Sequence, residues 1–83
     1  MPTIFRIGPY RFAFYSKENN EPPHIHVKRD RCSAKFWLEP VGLAGNGGFA
    51  AHELNVVRKL VAANQQRLIK AWNGHFQQQK KNS

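Results

Sequence analysis

Cysteine is nearly absent from this chain: Cys32 stands alone among 83 residues. One thiol closes no internal disulfide and builds no cysteine-based zinc framework, and it fits a reducing compartment. Its plainest role is that of a small, half-buried turn or strand residue. Long apolar runs are missing too. None approaches the ~20 residues needed to span a bilayer, and the first residues carry no apolar segment of the signal type. The expected compartment is therefore the cytoplasm, with no membrane association. Acidic residues are the third scarcity. Five aspartates and glutamates face 13 lysines and arginines, for a formal net charge of +8. Such an excess favours polyanions or an acidic protein partner through long-range attraction.

A chain of this length holds one domain, residues 1–83, with a modest core. It buries only about 60–65% of the surface its unfolded chain would expose, so its stability is marginal or shared with a partner.

Its most telling segment is Pro22-Pro23-His24-Ile25-His26-Val27. Polar and apolar residues alternate there as in a half-buried strand, with Ile25 and Val27 toward a core and both histidines on the opposite face. The proline pair cannot extend a preceding ladder and holds the chain extended as it reaches the histidines. Two imidazoles are thereby expected side by side on an open sheet surface. Imidazole titrates near neutrality, so the pair can move protons, bind a metal or contact phosphate.

The region around it, residues 1–40, reads as strands. A short run at 3–7 stops at Gly8-Pro9, and a second occupies 10–16, with Tyr10, Phe12 and Phe14 on one face. A polar turn over 17–21 leads to the histidine strand at 24–29. Asp30-Arg31 makes a tight connection to a strand at 32–39. Paired as a hairpin, that strand sets Lys35 and Trp37 on the histidine face, and a slip of one residue would reverse this. Pro40 is expected to end the strands. Residues 41–49, rich in glycine, read as a mobile loop, and Gly45-Asn46-Gly47-Gly48 lacks the spacing of a phosphate-binding loop.

From residue 50 the period becomes helical. Leu54, Val57, Val61, Leu68 and Trp72 form an apolar stripe, widened by Leu60 and Ile69 and extended by Phe76. Asn64-Gln65-Gln66 interrupts it and can mark a bend or a break. Residues 50–77 are thus helical, and 78–83 form a frayed basic tail. The expected fold is α+β: a small antiparallel sheet of three to four strands, packed on one or two C-terminal helices.

These residues resemble a known family. Met-Pro-Thr-Ile-Phe-Arg-Ile at 1–7, Phe-Tyr-Ser at 14–16, Glu-Pro-Pro-His-Ile-His-Val at 21–27, Ala-Lys-Phe-Trp-Leu-Glu-Pro at 34–40, Glu53-Leu54 and Ala71-Trp72 are similar to small bacterial proteins catalogued as domain-of-unknown-function family 4160. The resemblance covers nearly the whole chain. It implies a gene neighbour from the 2442 family of unknown function, in an arrangement like a type II toxin–antitoxin module. The basic member would be the toxin and its acidic cognate partner the antitoxin. One departure concerns the helix start: family members place serine where Ala50 stands, so a Ser-x-x-Glu capping box with Glu53 cannot form here.

Three uses of the histidine face follow. Cleaving RNA requires a base, an acid and cations to stabilise the developing charge. His24 and His26 are candidates for the first two, Lys35 and Arg11 for the third, while Tyr15 and Trp37 stack on bases. That describes a metal-independent ribonuclease without a cofactor. Residues two apart on a strand are nevertheless close for an acid and base working on opposite sides of a phosphate. The second use is metal binding by His-x-His. It needs further ligands from His52, Glu53, His75 or Glu18, which nothing in the sequence brings near, and no HExxH pattern is present. The third is binding without chemistry. Arg6, Arg11, Lys28, Arg29, Arg31 and Lys35 supply cations for RNA, another nucleic acid or an acidic partner, though no helix-turn-helix or ribonucleoprotein motif is present. The plainer alternative is that both histidines only hydrogen-bond across strands or line an interface. His52 and His75 are expected to take no part, and Trp72 to lie in the core.

Overall fold

A computed structural model describes the backbone of residues 3–14 and 21–81, with side chains from 6–14 and 21–74. Five strands come first in the chain: β1 (Thr3–Ile7), β2 (Tyr10–Ala13), β3 (His24–Arg29), β4 (Cys32–Leu38) and β5 (Val41–Gly47). Two helices follow, α1 (Ala51–Ala63) and α2 (Gln65–Lys81). The strands form one antiparallel sheet in sequential order. The fold is the expected α+β arrangement with one strand more than the sequence suggested.

Short connections explain the meander. Gly8 has φ +56° in the β1–β2 turn, a left-handed conformation that glycine adopts without strain. Asp30, at φ 54°, turns β3 into β4, and aspartate is among the few other residues that tolerate this region. Glu39-Pro40 connects β4 to β5 through a cis peptide bond.

The sheet does not end at Pro40, contrary to expectation, and residues 41–47 are not a loop. Pro40 occupies the connection, where no ladder amide is required of it. Glycine has low strand propensity by itself, but β5 is held by its register with β4: Leu38 faces Val41, Trp37 faces Gly42 and Phe36 faces Leu43. Tertiary pairing overrides the local preference.

Alternation along the strands sorts the side chains into two faces. Tyr10, Phe12, Phe14, Ile25, Val27, Ala34, Phe36 and Leu38 all turn to one side and are buried. Val57, Val61, Leu68 and Trp72 cover them from the helices. Fully burying one such aliphatic or aromatic side chain is worth about 1.5–3 kcal/mol, so this layer carries the fold.

Side-chain hydrogen bonds brace the helix ends. Asn46 accepts from the Phe49 amide and donates to its carbonyl, both at 3.0 Å, bracing the turn into α1. Gly48 reaches φ +110° there, and a Cβ would stand 3.4 Å from Cys32 Sγ. At the break between helices, Asn64 donates its side-chain amide to the Leu60 carbonyl at 2.8 Å, and Gln65 donates to the Leu38 carbonyl at 2.6 Å. The polar interruption of the stripe is thus a true division between two helices. Helix α2 continues to Lys81. No helix is long and apolar enough to cross a membrane, among the described residues.

Candidate functional site: the cationic sheet face

The second face of the sheet is read directly from its register. Arg6 faces Arg11, and Arg11 faces Lys28, which faces Ser33. One row along, Ala13 faces His26 and His26 faces Lys35, which faces Gly45. In the next row His24 faces Trp37, which faces Gly42. The hairpin register is therefore the expected one, and Lys35 and Trp37 do share the histidine face. Arg6 and Arg11 are exposed, while His26, Lys28, Lys35 and Trp37 are half-buried. Tyr15 and Glu18 lie outside the described residues, as does the side chain of His75.

The two imidazoles do not both meet water. His24 is 0% exposed. Trp72, arriving from α2, lies on it with ring centroids 4.8 Å apart, while Trp37 stands edge-on at 5.8 Å and His26 at 5.2 Å. The His24 Nδ1–H donates to the Pro22 carbonyl at 2.9 Å, which sets the tautomer, since a carbonyl can only accept. The expectation of an open pair is corrected by the path of α2: Trp72 sits at the end of the sheet, edge-on to Phe14 at 5.3 Å, and roofs His24 as well.

Glu21, taken in the sequence as part of a polar turn, belongs to this cluster. Its Oε1 accepts from Lys35 Nζ at 2.6 Å and lies 3.8 Å from His24 Nδ1. Lys35 also stands over the Trp37 ring, 4.9 Å from its centroid, in cation–π contact. An incoming phosphate thus meets Lys35 already engaged by a carboxylate. The signal that could have found Glu21 is its spacing, three residues before His24.

Arg29 is not part of the cationic face. It turns to the helix side, where its Nε and Nη2 bind Glu53 bidentately at 2.7 and 2.8 Å. Tyr10 donates to the same carboxylate at 2.8 Å. The guanidinium first, and the tyrosine hydroxyl second, hold the Glu53 carboxyl below its usual range. Glu53 raises Arg29 in return, and burial followed by the Glu53 hydrogen bond raises Tyr10. This triad pins the first turn of α1 to β2 and β3. The sequence separations, 43 and 24 residues, left no local signal for it.

Glu53 is committed to that triad, and no group of three or more His, Cys, Asp or Glu side chains is arranged to hold a metal ion among the described residues. The surface that remains is a set of cations spread over neighbouring strands, with one accessible imidazole and an aromatic ring at its end. Such a surface can bind phosphates and stack a base.

Comparison with known proteins places this geometry in a family without giving it a role. The model of the family described as Domain of unknown function (DUF4160) matches residues 10–73, and the chain belongs to that family. No curated protein and no solved structure matches it.

Proposed function

We propose that this protein binds single-stranded RNA through the cationic sheet face, and that it is the growth-inhibiting member of a two-protein module whose acidic partner neutralises it. The observation that supports RNA binding is the array of Arg6, Arg11, Lys28 and Lys35 across four neighbouring strands, on the face opposite the main core. Strands lie about 4.8 Å apart, so the cations form a continuous track for a phosphate backbone. Trp37, half-buried at the end of this track, offers part of its ring for stacking. Single strands are favoured because their bases are free to stack.

The geometry supports binding better than cleavage by a histidine pair. His24 is sealed beneath Trp72 and engaged with Pro22, so only His26 is reachable as an acid or base. The module reading is supported by the resemblance to paired small-protein loci and by the +8 charge, which suits an acidic partner.

Fluorescence anisotropy with a labelled single-stranded RNA tests the first part. If four cations each neutralise a phosphate, log affinity falls against log salt with a slope of roughly −3, and a flat response sinks the RNA reading. Expression alone and with the adjacent gene tests the second. Growth unaffected by the protein alone removes the toxin assignment, whatever the RNA affinity.

A further inference from the structure

β5 is an edge strand with little of the usual protection. Natural sheet edges are guarded by charges, prolines, bulges or covering segments. β5 runs seven residues, VGLAGNG, with neither a charge nor a proline. Residues 43–47 are exposed, and no backbone group pairs with its outer side among the described residues. Its one irregularity shifts the register between Lys35 and Phe36, leaving the 41–43 ladder regular.

Beside this edge lies a groove bounded by α1. Phe36, Leu43 and Leu54 line a cavity of about 350 Å³. A second, of about 330 Å³, continues it past Val41 and Lys59, and the two share Asn55 and Arg58. Val41 and Leu43 pair with Leu38 and Phe36, so both turn toward the helix side and form the groove's apolar flank. Leu43 is left 48% exposed. The rim is cationic: Arg58 and Lys59 are exposed, Arg58 is steadied by Asn55 at 3.3 Å, and no carboxylate lines either cavity among the described residues.

We propose that this edge takes an extended, acidic segment of a partner protein. The segment adds a sixth strand beside β5, sets apolar side chains against Leu43 and Leu54, and brings its carboxylates within reach of Arg58 and Lys59. Main-chain pairing supplies affinity in this mode and the side-chain groove supplies selectivity. A second copy of the chain fits worse, because it would bring its own Arg58 and Lys59 to the seam and set +8 against +8. RNA offers no side chain for an apolar groove. This surface is distinct from the cationic face, and the proposal does not rest on the RNA reading.

The test is an NMR titration of the full isotope-labelled chain with two synthetic peptides. One alternates leucine and glutamate; the other carries lysine in place of each glutamate. The glutamate peptide is expected to shift residues 41–43, Leu54 and Arg58 saturably and to slow amide exchange in β5. The lysine peptide is expected to bind at least about tenfold more weakly, and Arg58→Glu with Lys59→Glu to weaken the glutamate peptide by about tenfold. Leu43→Asn, at a half-exposed position, should abolish peptide binding while leaving single-stranded RNA affinity unchanged. Equal binding of the two peptides, no saturable shift, or shifts confined to Arg6, Arg11 and Lys28 would overturn the proposal. So would a peptide-free dimer formed through residues 41–43, or an equal loss of RNA affinity in Leu43→Asn.

Discussion

The His24 and Trp72 rings meet at a tilt of 56°, centroids 4.8 Å apart, so one strand residue and one helix residue 48 positions apart share a buried contact. That contact changes what the two histidines of β3 do. His24 ties the end of the sheet to α2, and His26 alone is left facing the surface. Replacing them should separate the two roles. His24→Ala removes a buried ring and its bond to Pro22, at an expected cost of about 2–4 kcal/mol, and Trp72→Ala should cost about 3–5 kcal/mol. His26→Ala should stay within about 1 kcal/mol of wild type, since half-buried surface positions rarely cost more. Urea denaturation at neutral pH measures all three. Equal losses for the two histidines would contradict the division.

The Tyr10–Glu53–Arg29 triad gives stability a defined pH dependence. Glu53 titrates lower in the folded chain than its ordinary value of 4.5, chiefly because of Arg29. A depressed carboxyl contributes stability that is present above the unfolded value and lost as pH falls through the folded one. Stability should therefore drop below about pH 4.5, and Glu53→Gln should flatten that limb while lowering stability at neutrality. Tyr10 is raised above 10.0 by burial and then by Glu53. Its contribution is complete below pH 10.0 and disappears as pH rises through the higher folded value. Tyr10→Phe should remove this alkaline limb. Circular dichroism melts across pH follow both; an unchanged acid limb in Glu53→Gln would refute the assignment.

RNA binding, if it uses the sheet face, should respond unequally to its cations. Arg11→Ala and Lys28→Ala each remove one phosphate partner and should lower the salt slope by about 0.7. Arg29→Ala should lower stability through Glu53 with a smaller effect on the slope, because Arg29 points to the helix side. Glu21→Gln should tighten RNA binding by releasing Lys35 from its 2.6 Å partner. Anisotropy titrations at several salt concentrations distinguish these outcomes. A slope insensitive to both Arg11→Ala and Lys28→Ala would place the contact elsewhere.

Much of this architecture was legible in the residues because it rests on local periodicity. The alternation in His24–Arg29 and Cys32–Leu38 gave the hairpin, with the register the structure shows, and the stripe from Leu54 to Trp72 gave a helical layer, with the choice between one helix and two left open at Asn64. β5 was illegible because glycine carries no strand signal, and only pairing with β4 orders it. The burial of His24 was hidden for a different reason. Alternation assigns a face to a residue, but it does not say that a tryptophan from the far end of the chain will cover one place on that face. Arg29 and Glu53 likewise found each other across 24 residues, through long-range packing that no spacing rule encodes.

The start of α1 offers a last prediction, in the stabilising direction. Ala50 stands at the N-cap with φ −70° and ψ 158°, and no side chain caps the helix. This is already the extended geometry that a capping serine requires, and Ala50 is exposed, so Ala50→Ser introduces no clash with the core. The new hydroxyl can accept the Glu53 amide, which is now without a side-chain cap. Only half a capping box can form, because the Glu53 carboxylate is held by Arg29 and Tyr10 and cannot turn back to the residue 50 amide. The gain should therefore sit near the lower end of the usual range, about 0.5–1 kcal/mol. In an Arg29→Ala background the carboxylate is freed from its main partner, and the same serine should gain more. A double-mutant cycle by urea denaturation measures that coupling. Strictly additive effects would mean that Glu53 does not choose between the sheet and the cap.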